Sequence, residues 1–145
     1  RRGKLDGVVV TGGEPTLQPG LGAFLHAVKR LGFATKLDTN GSNPALVRAL
    51  LDARLIDFVA MDLKAPWSRY AEAVGMPVAT TALAETITLL RTRAVPHQLR
   101  TTKWPGLTAA DCAEIARRAA GSPHVWQEYR PTTDAGQLAP AASTS

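Results

Sequence analysis

Charged residues stand at the ends of four short apolar runs, and their spacing is that of a binding site. The first run, Val8-Val9-Val10-Thr11, ends in Gly12-Gly13-Glu14-Pro15-Thr16. Paired glycines let the backbone turn sharply and come close to a ligand. Their carbonyls accept hydrogen bonds, and Glu14 adds an anionic acceptor. Such an edge suits an ammonium group better than a phosphate. Neither GxxxxGKS/T nor GxGxxG is present, so this is not a phosphate loop. Taken alone, a GGE triplet also fits a plain strand-to-loop turn.

The second run ends in Asp38-Thr39-Asn40-Gly41. Strand alternation puts Asp38 on one face with Lys36 and Ala34. Asn-Gly also marks a tight turn, beside which Asp38 is equally well a capping carboxylate. The third run ends in Met61-Asp62-Leu63-Lys64, with Asp62 and Lys64 on the face of Ala60 and Phe58. Opposed charges at the end of so apolar a strand cost desolvation unless they meet each other or a polar ligand. The fourth run carries Gln98, Arg100 and Thr102 on one face. Arg100 has a planar fork that suits a carboxylate, or else sits on a solvated rim. Glu14, Asp38 and Asp62 thus oppose Lys36, Lys64 and Arg100. The site is polar, nearly neutral and split by charge. It suits a zwitterion, such as the amino-acid end of a small molecule, and names no reaction.

These residues need strands to carry them. Strands are predicted over Leu5–Thr11, Phe33–Asp38, Leu55–Leu63, His97–Thr102 and His124–Tyr129. Between them the pattern predicts helices over Leu21–Leu31, from Pro44 to Ala53, over Ser68–Val74, over Ala82–Arg93, and from a Thr108 cap to Ala120. Ser42 or Asn43 is expected to cap the second helix, and Thr80 or Thr81 the fourth. Strand and helix alternate, which means a parallel α/β sheet, either open and doubly wound or part of a barrel. Both bind ligands at the C-terminal ends of the strands. Residues 1–131 are expected to form one domain and residues 132–145, rich in Ala, Ser, Thr and Pro, a frayed tail.

Composition narrows the classes. The 145 residues, 45% apolar and 20% charged, make a globular chain that buries a real core. No apolar run approaches the ~20 residues of a membrane span. The net charge of +5 comes from scattered basic residues, and aromatics are 6%, which argues against a nucleic-acid stacking platform. One cysteine excludes an internal disulfide and a self-contained cysteine cluster site. No secretory signal opens the chain, so a cytoplasmic location is the default expectation.

The strings VVVTGGEPTLQ, KLDTNGSNP, VAMDLKAP and LRTTKWPG, in this order, resemble the radical S-adenosylmethionine superfamily. Within it they are most similar to the activating enzymes of glycyl-radical enzymes, above all the anaerobic ribonucleoside-triphosphate reductase activating proteins. GGEPT is shared across the superfamily, whereas DTNG with DLK is narrower. The resemblance implies a TIM-like partial (β/α)6 barrel. It implies a 4Fe–4S cluster that reductively cleaves S-adenosylmethionine, and a radical that abstracts hydrogen from a backbone glycine of a partner enzyme. Reduced flavodoxin or ferredoxin is the implied electron donor, and no nucleic acid or membrane is an implied partner. Gly12, Gly13 and Glu14 would then line the methionyl amino group, and Lys64 and Arg100 would face its carboxylate. Asn40 would lie near the ribose or sulfonium. Asp38, Thr39 and Asp62 match positions that in some relatives hold a monovalent cation.

One departure is serious. The family's CxxxCxxC motif precedes the GGE strand, and this chain has only Cys112, within the last long helix. His26, His97 and His124 are too dispersed to replace three thiolates. The expectation is a member that lacks its first strand and cluster loop, and a chain that does not perform radical chemistry by itself. Two alternatives are a 7-carboxy-7-deazaguanine synthase, which shares TGGEP but has ETNG and SPK at the later motifs, and a non-catalytic remnant.

Overall fold

In the computed structural model, residues 5–131 are described; the expected tail at 132–145 lies outside them. Five strands form one sheet: β1 (Gly7–Val10), β2 (Ala34–Thr39), β3 (Phe58–Asp62), β4 (His97–Lys103) and β5 (His124–Glu128). All neighbours are parallel and the order is sequential, β1-β2-β3-β4-β5. A doubly wound sheet reverses its order at a switch point, and this one does not. With right-handed crossovers, sequential order puts every helix on the same side, which is the geometry of part of a barrel.

The helices are α1 (Leu21–Arg30), α2 (Pro44–Asp52), α3 (Tyr70–Val74), α4 (Thr80–Thr92) and α5 (Ala109–Ala119). Their apolar stripes meet the covered face of the sheet. Leu25 of α1, Val47 of α2, Leu90 of α4 and Ile115 of α5 are buried with Leu37, Val59, Met61 and Leu99 of the strands. The opposite sheet face carries Lys36, Asp38, Asp62 and Arg100, all partly exposed. Alternation alone produces this division: odd positions of β2 face the helices and even positions face the open side.

Several boundaries differ from the predicted ones. The first strand shortens to Gly7–Val10, with Leu5 and Val9 more than half exposed. It is an edge strand, paired only with β2 among the described residues. The third strand starts at Phe58, not Leu55. Leu55 instead donates its N–H to Leu50 O and closes the end of α2. The second strand gains Thr39 and the fourth gains Lys103. Asn43, not Ser42, caps α2 by accepting from Leu46 N–H. Helix α4 begins at Thr80, and neither Thr80 nor Thr81 caps it. Its start follows burial of Leu83, Thr86 and Ile87, with Thr86 Oγ1 donating to Gly41 O across 2.7 Å. Helix α5 has the expected Thr108 cap, completed into a reciprocal capping box by Asp111.

At the other end of the sheet Asp57 ties α1 to β2. Its carboxylate accepts from Lys29 Nζ at 2.7 and 2.9 Å and from Thr35 N–H at 2.7 Å. Partial burial alone would raise the Asp57 pKa. The hydrogen bonds from Lys29 and Thr35 outweigh it and lower the pKa. A lowered folded-state value means stability that is complete above the ordinary carboxylate range and lost as pH falls through the folded value. Asp57→Asn is therefore expected to cost about 1 kcal/mol or less at neutral pH, because the pair is partly exposed. It should also flatten the loss of thermal stability below about pH 4. Melting temperatures of both forms across that range check this; parallel acid limbs would contradict it.

Candidate functional site

The C-terminal ends of four strands converge as the alternation requires. Arg100 on β4 reaches across two strands. Its Nε donates to Asp62 Oδ1 at 3.1 Å, its Nη2 stands 3.0 Å from the same oxygen, and its Nη1 donates to Asp38 Oδ2 at 3.3 Å. Register explains the fit, since Asp62 and Arg100 are direct partners on β3 and β4. The side chains of Arg100 and Asp38 are only 17% and 15% exposed, so this is not a solvent-screened surface pair. Lys36 Nζ stands 3.7 Å from Asp38 Oδ1, which accepts no hydrogen bond.

Glu14 is anchored to the protein through both carboxylate oxygens. Its Oε1 accepts from Thr16 N–H at 3.2 Å, Thr16 Oγ1 at 2.6 Å and Thr39 Oγ1 at 2.6 Å. Its Oε2 accepts from Asn40 N–H at 2.7 Å. The carboxylate is spent on the protein and binds the first strand-end loop to the second. Thr39 projects to the helix side, where its hydroxyl also accepts from Gly41 N–H at 3.1 Å. Asn40 Oδ1 accepts from Ser42 N–H at 2.9 Å and shapes the turn. Gly41 cannot be replaced freely: its φ is +78°, and a Cβ there would run into the Met61 side chain.

Gly12 and Gly13 take φ of +88° and +56°, and a Cβ on either would meet nothing within 4 Å. The glycine edge is open to a ligand. Lys64 forms no ion pair among the described residues, yet its backbone is clamped from both sides. Its N–H donates to Tyr70 Oη at 3.1 Å, and its carbonyl accepts from Trp104 Nε1 at 3.0 Å. Burial pushes the Tyr70 hydroxyl up to about 12, so it stays protonated and donates to Asp62 O at 3.4 Å. Trp104 is itself held, with the Arg69 guanidinium 5.2 Å from its ring centre. Arg69 is locked in turn by Glu72 and Asp111.

Two adjoining hollows share these residues. One, of about 480 Å³, is lined by Asp38, Asp62, Lys64 and Arg100 with Thr11, Ala73, Thr102, Trp104, Gln127 and Tyr129. The other, of about 280 Å³, is lined by Gly13, Glu14, Thr39 and Asn40 with the same charged residues. Of the nine residues that the resemblance places around the cofactor, eight line these hollows and Gly12 sits beside them, while Lys36, the third cation singled out, lines neither. Tyr70, Trp104 and Tyr129 were not singled out. Their only sequence signal is aromatic type next to a strand-end loop.

The arrangement defines a parallel α/β partial barrel with a charge-separated pocket at the strand C-termini. Residues 1–119 match the Radical SAM superfamily, and the chain belongs to that superfamily. Seventy residues, 48% of this chain and 29% of the relative, are 41% identical to a glycyl-radical enzyme activating enzyme of Methanocaldococcus jannaschii. Fifty-eight residues, 40% of this chain and 24% of the relative, are 43% identical to the 7-carboxy-7-deazaguanine synthase of Neisseria meningitidis. The matches thus span under a third of either relative's length. A domain of pyruvate-formate lyase-activating enzyme from Bacteroides vulgatus shares the fold at TM-score 0.65 and 21% identity, over 93% of this chain and 86% of that one. Streptococcus suis SuiB does so at TM-score 0.72 and 16% identity, over 92% and 32%.

The superfamily implies S-adenosylmethionine and a 4Fe–4S cluster. The open glycine edge and the free Lys64 ammonium fit a zwitterionic methionyl group. The cluster does not fit residues of this chain. A cubane takes several thiolates, and Cys112 is a single half-buried side chain on α5. No described helix is long and apolar enough to cross a membrane.

Glu14→Ala is expected to leave buried donors of Thr39 and Asn40 without acceptors, at a cost on the order of 1–3 kcal/mol. Urea unfolding measures it. An unchanged midpoint would show that the carboxylate does not join the two loops.

Proposed function

We infer that the chain forms the S-adenosylmethionine-binding part of a glycyl-radical enzyme activating enzyme, with an anaerobic ribonucleoside-triphosphate reductase as its partner. The observation that carries this reading is the placement of Gly13 and Lys64 on one hollow, an acceptor edge opposite an unpaired ammonium. The methionyl ammonium would take the carbonyl edge of Gly12 and Gly13, and the carboxylate would take Lys64. Asn40 would lie beside the ribose or sulfonium. When bound, S-adenosylmethionine supplies a sulfonium carbon–sulfur bond open to reductive cleavage.

The chain's own residues orient that molecule. Tyr70 and Trp104 fix the Lys64 backbone, so the ammonium swings from a rigid anchor. Glu14 holds the glycine loop against Asn40, which keeps the two halves of the pocket in register. Asp38 and Asp62 absorb the charge of Arg100 and Lys36, leaving Lys64 to meet an incoming anion. Electrons would come from a reduced flavodoxin or ferredoxin through a cluster that these residues do not hold.

The DTNG and DLK motifs favour the activating enzyme over the deazaguanine synthase, although relatives of both kinds are similar in parts of the chain. Lys64→Ala in the native protein is expected to weaken S-adenosylmethionine roughly tenfold to a hundredfold, by loss of one charge-assisted contact. Arg117→Ala, on the exposed side of α5, is the control. Anaerobic calorimetry reads both, and equal affinity in parent and Lys64→Ala would remove the lysine from the site. The reaction itself is tested by incubating the native protein with reductant, S-adenosylmethionine and anaerobic ribonucleotide reductase. A glycyl-radical signal in electron paramagnetic resonance is expected. Its absence, with formation of 7-carboxy-7-deazaguanine in a parallel assay, would move the chain to the other branch.

A further inference from the structure

We propose that Trp104 tunes the anion affinity of Lys64: its indole N–H fixes the carbonyl side of the lysine, and Arg69 and Gly106 hold the ring in the place from which it does so. All three are positioning residues that act through Lys64. The proposal rests on the reading of Lys64 as the partner of the methionyl carboxylate, and it adds the residues that govern that lysine.

The two peptide groups of Lys64 are held unequally. Its N–H donates to Tyr70 Oη at 3.1 Å, and Tyr70 is buried, so the core fixes that side. Its carbonyl accepts from Trp104 Nε1 at 3.0 Å, and Trp104 stands half-buried on the loop after β4. Whatever holds that ring therefore holds the lysine. Two contacts do. The Arg69 guanidinium lies 5.2 Å from the ring centre. Its own donors are committed: Nε and Nη2 donate to the two Glu72 oxygens at 2.9 and 2.7 Å, and Nη1 donates to Gly106 O at 2.8 Å and to Asp111 Oδ2. A planar fork so engaged has little freedom to leave the ring. Gly106 confines the indole from the loop's own backbone. A Cβ there would run into the six-membered ring of Trp104, although the Gly106 φ lies outside the left-handed region. Space for the indole, and not backbone conformation, therefore calls for glycine at this position. Lys64 and Trp104 both line the larger hollow, of about 480 Å³.

Calorimetry on the native protein under anaerobic conditions compares S-adenosylmethionine with decarboxylated S-adenosylmethionine, which keeps the ammonium and the sulfonium but has no carboxylate. Trp104→Phe keeps an aromatic ring and removes the indole N–H. Arg69→Met and Gly106→Ala displace the ring by separate routes. Each should weaken S-adenosylmethionine roughly threefold to tenfold, the size of one neutral hydrogen bond, and leave the decarboxylated ligand unchanged. In a Lys64→Ala background the same changes should affect neither ligand. Exchange of the Trp104 indole proton with solvent, assigned among the three tryptophans by its absence in Trp104→Phe, should quicken in Arg69→Met and Gly106→Ala. Should Arg69→Met not fold, Gly106→Ala, at an exposed loop position, carries both readouts. Unchanged exchange in either folded variant overturns the proposal. Equal loss for both ligands overturns it too, because that marks a general disturbance of the pocket and not an effect on the lysine. So does full S-adenosylmethionine affinity in Trp104→Phe while Lys64→Ala loses it; the reading of Lys64 then stands by itself. If Lys64→Ala binds both ligands as the parent does, that reading falls and the proposal falls with it.

Discussion

Carboxylates at the ends of apolar strands must be compensated where they stand, and that constraint organises this molecule. Asp38 and Asp62 project from neighbouring strands onto the open sheet face, and Arg100 on the next strand reaches both. The bridge joins β2, β3 and β4 at the end where the loops depart. With Asp38 and Arg100 mostly withdrawn from water, losing one partner would strand a charge in a poorly solvated place. The arrangement stores little net stability, because desolvation offsets most of the attraction. It specifies instead which register the three strands take, since a one-residue slip would send Asp38 or Arg100 into the apolar layer with Leu37 and Leu99.

Much of the fold was legible in the sequence, because parallel strands announce themselves by apolar runs and a period of two. Asp38, Asp62, Lys64 and Arg100 fell on one face by counting alone, and they line one hollow. Boundaries were less legible where tertiary contacts override local pattern. Leu55 and Ile56 read as strand by type, yet they close the turn after α2. Threonine before α4 read as a cap, yet packing of Leu83 and Ile87 set where that helix starts. Partners across long separations were not legible at all. Nothing near Lys64 in the chain announces that Trp104, 40 residues away, will donate to its carbonyl.

Glu14 shows why residue type predicts a site better than a role. A carboxylate after two glycines is the right chemistry for an ammonium, and it does line the hollow. Its oxygens nevertheless accept four protein donors from Thr16, Thr39 and Asn40. Three of those donors lie within two residues or in the next strand-end loop, so the cost of satisfying a partly buried acceptor is met locally. The glycine backbone beside it stays uncovered, with φ values of +88° and +56° and open space where a Cβ would stand.

Lys64 completes the logic by contrast. Among the described residues, the other cations on the open face, Lys36 and Arg100, are already matched by Asp38 and Asp62. Lys64 has its backbone fixed and its ammonium uncommitted among the described residues. A lysine pinned at both peptide groups loses little backbone entropy when it engages an anion, because that entropy was lost on folding. The clamp costs nothing at the moment of binding, since Tyr70 and Trp104 are held independently, Tyr70 by burial and Trp104 by Arg69. Arg69 in turn reaches the Asp111 capping box of α5. The loop after β3, the loop after β4 and the first turn of α5 therefore form one braced rim, and the pocket's free charge sits on it. An anionic group entering the hollow meets a preset partner on one side and a neutralised pair on the other, so its orientation is decided by charge before any shape complementarity operates.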